Sequence, residues 1–396
     1  MKLLSPQVDN YIDNSSWIRK MFEAGIELKK KYGENNVYDF SLGNPDVPAP
    51  AVVGEALREI ADTAEEPFAF GYMPNFGYQD VRDVLAGRAS REQGVEIKGS
   101  EIIITCGAAG GINTLFRTVL EPGEEVLCPA PFFVEYSFYA QNFGGSLKTV
   151  PSKPLTFQLD LKHIDDSITE KTRVVLINSP NNPTGAIYPE EDLKKLAEIL
   201  NKHNEGRERP IFLIADEPYR FLAFDGEKVP SILPNYDYSL VISSFSKNLS
   251  LAGERIGYIL INPDMPGKEQ LTAGLVLANR ILGFVNAPAI GQKLLAKAID
   301  ADVDKNIYLE RRNAMAEVLD KAGYNYTMPK GAFYFFPEAP GCDDVKFCAA
   351  LQEERVLAVP GSGFGMPGYF RLAFCVGTEV ITGSQEGFKK AIEKFK

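Results

Sequence analysis

The sequence predicts an α/β protein built on a mainly parallel sheet with helices on both faces. Three observations carry that expectation. Through the middle of the chain, short apolar runs of β type alternate with segments of helical spacing. Several of those runs are almost wholly apolar, as strands covered on both faces require. The residues just after the runs are polar or glycine-rich, and ligands of such sheets collect beyond the carboxyl ends of the strands.

The runs fall at 101–105, 125–128, 173–178, 211–215, 240–244 and 256–261. Residues 189–202, PEEDLKKLAEILNK, have helical spacing, with acids in the first turn and bases in the last. The two ends of the chain read differently. A long charged helix near 302–321 is followed by two aromatic strands, GAFYFF and YFRLAF. A chain of 396 residues is also long for a single core. The expected organisation is a large domain over 46–284 and a smaller α+β domain drawn from both termini, 1–45 and 285–396.

Composition narrows the function. Hydrophobic residues make up 45% and charged residues 24%, which describes a globular chain rather than a disordered one. A net charge of −11 opposes general attraction to nucleic acid or anionic membrane, so neither is expected as a partner. No apolar run approaches the roughly 20 residues of a membrane span. The first residues, MKLLSPQVDNYIDN, turn polar at once. The five cysteines, Cys106, Cys128, Cys342, Cys348 and Cys375, are odd in number and lack metal-type spacing. Together these features suggest reduced thiols and a cytoplasmic location. His163 and His203 lie near no other ligand motif, so no metal is expected.

Five strand ends carry unusual chemistry. TCGAAGG at 105–111 contains Gly107, Ala108 and Ala109, ahead of a helix expected to start near Ile112. Small residues there let main-chain N–H groups bind a phosphate. The turn is also like that of short-chain dehydrogenases, but it lies more than 100 residues into the chain. The accompanying Tyr-xxx-Lys spacing, Tyr326 to Lys330, is broken by Pro329. NSPNNPTG at 178–185 reads as a turn, or as a loop that offers the Asn182 amide to a ligand. Asp216 ends an apolar run, and a buried carboxylate needs several hydrogen bonds or a cationic partner, such as a protonated pyridine nitrogen. Tyr219 follows three residues later. SSFSKNL at 243–249 sets Lys247 beside Ser244 and Ser246, where desolvation would free its amine for Schiff-base chemistry. Arg255, at the mouth of the next run, suits a phosphate. Arg371 sits within the apolar strand 369–374, where a substrate carboxylate would partner it. Each feature has a plainer alternative: a surface lysine, a loop-capping aspartate, a simple turn, a solvent-facing arginine.

In this order the motifs resemble the class I/II aminotransferases, fold-type I pyridoxal-phosphate enzymes of the aspartate aminotransferase kind. The resemblance runs from LGNPD at 42–46 to Arg371, with SFSK…ER and NNPTG its most specific parts. It implies a seven-stranded sheet and pyridoxal 5'-phosphate held as a Schiff base on Lys247, which also moves the substrate proton. It implies that Asp216 binds the ring nitrogen, and that Asn182 and Tyr219 bind the ring oxygen. Gly107, Ala108, Ala109, Ser244, Ser246 and Arg255 would hold the phosphate, and Phe133 would stack on the ring. Arg371, with Asn182 and the main chain near Gly43, would take the substrate carboxylate. Tyr72 would reach the phosphate of a neighbouring subunit, implying a homodimer. One departure stands out: relatives often carry a hydroxyl where this chain has Ala108-Ala109, which leaves that contact to the backbone. The implied reaction is ping-pong transfer of an amino group between an L-amino acid and a 2-oxo acid. The rivals are a carbon–sulfur β-lyase on the same scaffold and a non-catalytic pyridoxal-phosphate-binding regulator. The aromatics of GAFYFF and PFFVEYSFY read as core.

Overall fold

A computed structural model describes residues 3–13 and 17–395. The chain forms two compact units. The larger comprises Pro45–Lys305 with Lys330–Ala332, and the smaller Met1–Asn44, Asn306–Pro329 and Phe333–Lys396. Residues 285–305 were expected with the small domain and instead belong to the larger unit. The reason is packing. Helix Ala289–Ala298 lies against helices Ala51–Asp62 and Gln79–Gln93, and its Leu294, Leu295 and Ala298 enter the larger unit's core.

The larger unit is organised by one sheet. Its strands are β1 Ile102–Cys106, β2 Glu125–Ala130, β3 Ser146–Pro151, β4 Thr172–Asn178, β5 Phe212–Asp216, β6 Ser239–Ser244 and β7 Ile256–Ile261. They lie in the order β1-β7-β6-β5-β4-β2-β3. Neighbours run parallel except at β7, which is antiparallel to both β1 and β6. Strands β4 to β7 are buried at every residue. Alternate side chains enter two different cores, because successive strand residues point to opposite faces. Val175, Ile177, Leu213 and Val241 join one core, and Val174, Leu176, Ile214 and Leu240 the other. Helices therefore cover both faces, as the apolar runs predict.

Two local details depart from the sequence expectations. Strand β3 was not among the expected runs. It is a half-exposed edge strand, so its Ser146, Lys148 and Thr149 give no continuous apolar signal. The helix after β1 begins at Gly107 rather than near Ile112, which puts Gly107, Ala108 and Ala109 in its first turn.

In the smaller unit, Tyr334–Phe335 and Phe370–Ala373 pair antiparallel within the expected aromatic strands, and Val359–Pro360 completes that sheet. The expected charged helix spans Lys305–Ala322.

Gly257 in β7 shows how closely sheet and site are packed. A β-carbon there would lie 2.5 Å from the Gly107 carbonyl carbon and 2.7 Å from Ser243 O. Gly257→Ala is expected to lower unfolding stability by about 1–3 kcal/mol, as overpacking does, measured by denaturant melts of the apoprotein.

Candidate active site

Three parallel strands end side by side. Asn178 of β4 is in register with Asp216 of β5, which is in register with Ile242 of β6. The loops that follow therefore emerge together, bringing Asn182, Tyr219 and Lys247 to one end of the sheet. Strand β7 adds Arg255 by running the other way. Because Ile256 pairs with Cys106 and Gly257 with Ser244, the residue before β7 sits at the carboxyl ends of β1 and β6.

Asp216 is the electrostatic centre. Its Oδ2 accepts a 2.5 Å hydrogen bond from Tyr136 Oη. Its Oδ1 is buried and has no hydrogen-bond partner among the described residues. Burial pushes the carboxyl up to about 7; the Tyr136 hydrogen bond works against that rise, and neighbouring Glu217 adds to it. Tyr136 was read with the core aromatics and is buried as expected, but it also carries a polar function. It lies on the short helix Glu135–Gln141. The only signal was its hydroxyl, one helical turn beyond Phe133. The half-buried Phe133 ring meets Tyr136 edge-on, with centroids 5.6 Å apart.

Buried polar contacts hold the loops. Asn178 Nδ2 donates to Asp216 O at 2.8 Å, and its Oδ1 accepts from Asn182 N at 2.7 Å. One side chain thus ties two predicted site residues together. Asn181 Oδ1 accepts from Thr184 N and Oγ1 at 3.1 and 2.8 Å, closing the NNPTG loop. Beyond Asp216, Arg220 makes a two-pronged ion pair with Glu217, at 2.5 and 2.9 Å, and Gln93 Nε2 donates to the same carboxylate. This buried network brackets the buried Tyr219. None of it was read from the sequence, since Gln93 lies far from 217 along the chain.

The predicted phosphate turn is assembled from two strands. Gly107 has φ +70°, and a β-carbon there would lie 2.6 Å from Arg255 Nη2. Glycine is required by both conformation and space. The first turn of helix Gly107–Val119 offers free main-chain N–H groups, and the Arg255 guanidinium stands beside it. Ser244 and Ser246 are buried, and Lys247 is half-buried. The Lys247 turn is pinned from both sides: Val303 N donates to Asn248 O at 2.7 Å, and Ser250 Oγ to Val47 O at 2.7 Å. Tyr72, by contrast, is 96% exposed and does not join this cluster within the chain.

In the smaller unit Arg371 is 2% exposed, so it does not face solvent. Its Nη2 donates to Ser41 O, and its guanidinium lies over the Tyr334 and Phe364 rings, 4.9 Å from each centroid. Gly43 is two residues beyond Ser41.

The larger unit's donor set fits a phosphorylated pyridine. A buried acid oxygen awaits a cationic N–H, and a glycine-lined helix start beside an arginine awaits an anion. Among the described residues no group of three or more His, Cys, Asp or Glu could hold a metal, and no helix is long and apolar enough to cross a membrane.

Comparison with known proteins agrees. The chain belongs to the aminotransferase class I and II family, whose model matches residues 35–382. It is 34% identical over 373 residues to the probable aspartate/prephenate aminotransferase of Aquifex aeolicus, covering 91% of this chain and 92% of that protein. It is 32% identical over 372 residues to the aspartate aminotransferase of Thermotoga maritima, covering 92% and 94%. An aminotransferase structure from Eubacterium rectale superposes with a TM-score of 0.96 over the whole of both chains, at 38% identity. Thermus thermophilus aspartate aminotransferase with maleate superposes at 0.87 over 99% of this chain and all of that one, at 26% identity. The chain is a pyridoxal-phosphate-dependent aminotransferase of amino and keto acids.

Asp216 carries its proton to higher pH than an unfolded aspartate. The folded apoprotein therefore binds more protons between roughly pH 4 and 7, and the stability this group contributes is lost as pH rises through about 7. Asp216→Asn apoprotein is expected to be at least as stable as wild type at alkaline pH, in thermal melts, while binding the cofactor more weakly. Tyr136→Phe removes the hydrogen bond that opposes the rise. Cofactor affinity, titrated against pH, should then fall off at higher pH than in wild type.

Proposed function

We propose that the chain moves an amino group between an L-amino acid and a 2-oxo acid in two successive half-reactions, with Lys247, Asp216 and Tyr219 as catalytic residues. The observation that supports this most is the buried, unpartnered Oδ1 of Asp216 at a strand end flanked by the Asn182 and Lys247 loops. Such an oxygen is costly unless it meets a positive charge. The cofactor, when bound, supplies an electron sink for the electrons released at the substrate α-carbon.

The chain's own residues supply the rest. Lys247 Nζ is the attachment point and, once freed, the base that takes and returns the α-proton. Ionised Asp216 holds the ring nitrogen's positive charge. Asn182 and Tyr219 donate to the ring oxygen, and Phe133 stacks on the ring face. The first-turn amides of Gly107, Ala108 and Ala109, with Ser244, Ser246 and Arg255, hold the phosphate. Because residues 108 and 109 are alanines, main-chain groups make that contact. Arg371, with the main chain at Gly43, receives the substrate carboxylate. Tyr72 serves the phosphate site of a second copy, giving a homodimer. Its exposure beside Phe68, itself 91% exposed, and Phe70 supports a covered apolar surface there.

Names of relatives suggest the first donors to test, L-aspartate and the aromatic amino acids. The holoenzyme is expected to show a visible absorption band that bleaches with a donor and returns with a 2-oxo acid. Lys247→Ala should lower turnover roughly a thousandfold or more while the protein stays folded. Wild-type transamination by Lys247→Ala would overturn the proposal. Pyruvate release from cystathionine without amino transfer would move the assignment to a β-lyase.

A further inference from the structure

Gly43 is a glycine without a conformational reason. Its φ lies outside the left-handed region, so its lack of a side chain answers to space. The space is taken by Tyr334. A β-carbon on Gly43 would collide with Tyr334 Oη and lie 3.0 Å from Cζ and 3.2 Å from Cε1. The Arg371 guanidinium lies over the same ring, 4.9 Å from its centroid, and equally close to the Phe364 ring. Tyr334 therefore touches both residues of the smaller unit to which the proposed function gives the substrate carboxylate.

The residue type is informative as well. Phe333, Phe335 and Phe336 flank Tyr334 in GAFYFF, and all four side chains are buried. A fourth phenylalanine would fill the same core without a hydroxyl, so the phenol adds a polar atom that packing does not require. The hydroxyl projects from the core toward the main chain at Gly43, beside a buried cation. A phenol in that position is a hydrogen-bond donor suited to an anion.

We propose that Tyr334 is a substrate-binding residue. Its hydroxyl donates to the carboxylate that Arg371 pairs with, and Gly43 lacks a side chain to admit it. This rests on the carboxylate role of Arg371 put forward above.

The test is steady-state kinetics of the holoenzyme with its best amino donor and 2-oxo acid, comparing Tyr334→Phe, Arg371→Gln and wild type. Tyr334→Phe keeps the ring and its contact with Arg371. KM for both substrates should rise about tenfold, the scale of one hydrogen bond to a charged group, with kcat changed far less and the cofactor band unaltered. Gly43→Ala should raise KM as well, and by less in the Tyr334→Phe background, because the colliding oxygen is gone. KM for Tyr334→Phe within about twofold of wild type, while Arg371→Gln raises it, would overturn the proposal and leave the Arg371 role standing. An unchanged KM in Arg371→Gln would overturn that role and the proposal together.

Discussion

A carboxylate buried at the end of a central strand is the constraint around which the larger unit is arranged. Asp216 stands where four apolar residues lead into a covered sheet, with one oxygen hydrogen-bonded and the other not. In isolation that position favours the protonated form, and the carboxyl is shifted to about 7. A bound cation would reverse the preference. The apoprotein thus accepts a local cost that a cation bound at Oδ1 would remove. Tyr136 and Glu217 act on that balance in opposite senses, one by donating a hydrogen bond and the other by adding like charge.

Strand direction does the rest of the assembly. Parallel β4, β5 and β6 deliver three loops to one edge, and the reversed β7 returns Arg255 to the same edge. Close packing keeps the phosphate turn in place, with Gly107 against Arg255 and Gly257 against Gly107 and Ser243. Buried side chains link the loops to each other. Asn178 joins Asp216 to Asn182, and the Glu217–Arg220–Gln93 network braces the turn that carries Tyr219.

The smaller unit handles its own buried charge differently. The Ser41 carbonyl accepts from the Arg371 guanidinium and the Tyr334 and Phe364 rings lie against it, an arrangement that stabilises a buried cation.

The alternation of apolar runs and helices, the chemistry at five strand ends, and the order of Asn182, Asp216, Lys247 and Arg255 were legible from the sequence. Each depends on residues adjacent in the chain, and an apolar strand followed by a polar end is a local pattern. The half-exposed β3 escaped because edge strands carry polar side chains, and helix Ala289–Ala298 was misplaced because its partner helices lie some 200 residues earlier. Tyr136, Asn178 and Tyr334 looked like core or turn residues for the same reason. Their polar atoms acquire a role only where folding brings Asp216, Asn182 or Gly43 to them. The sequence by itself determined the class of sheet and the residues that carry charge into it. Only the tertiary structure decided which buried polar groups find partners within the chain, because that depends on desolvation and on contacts between segments remote in the chain.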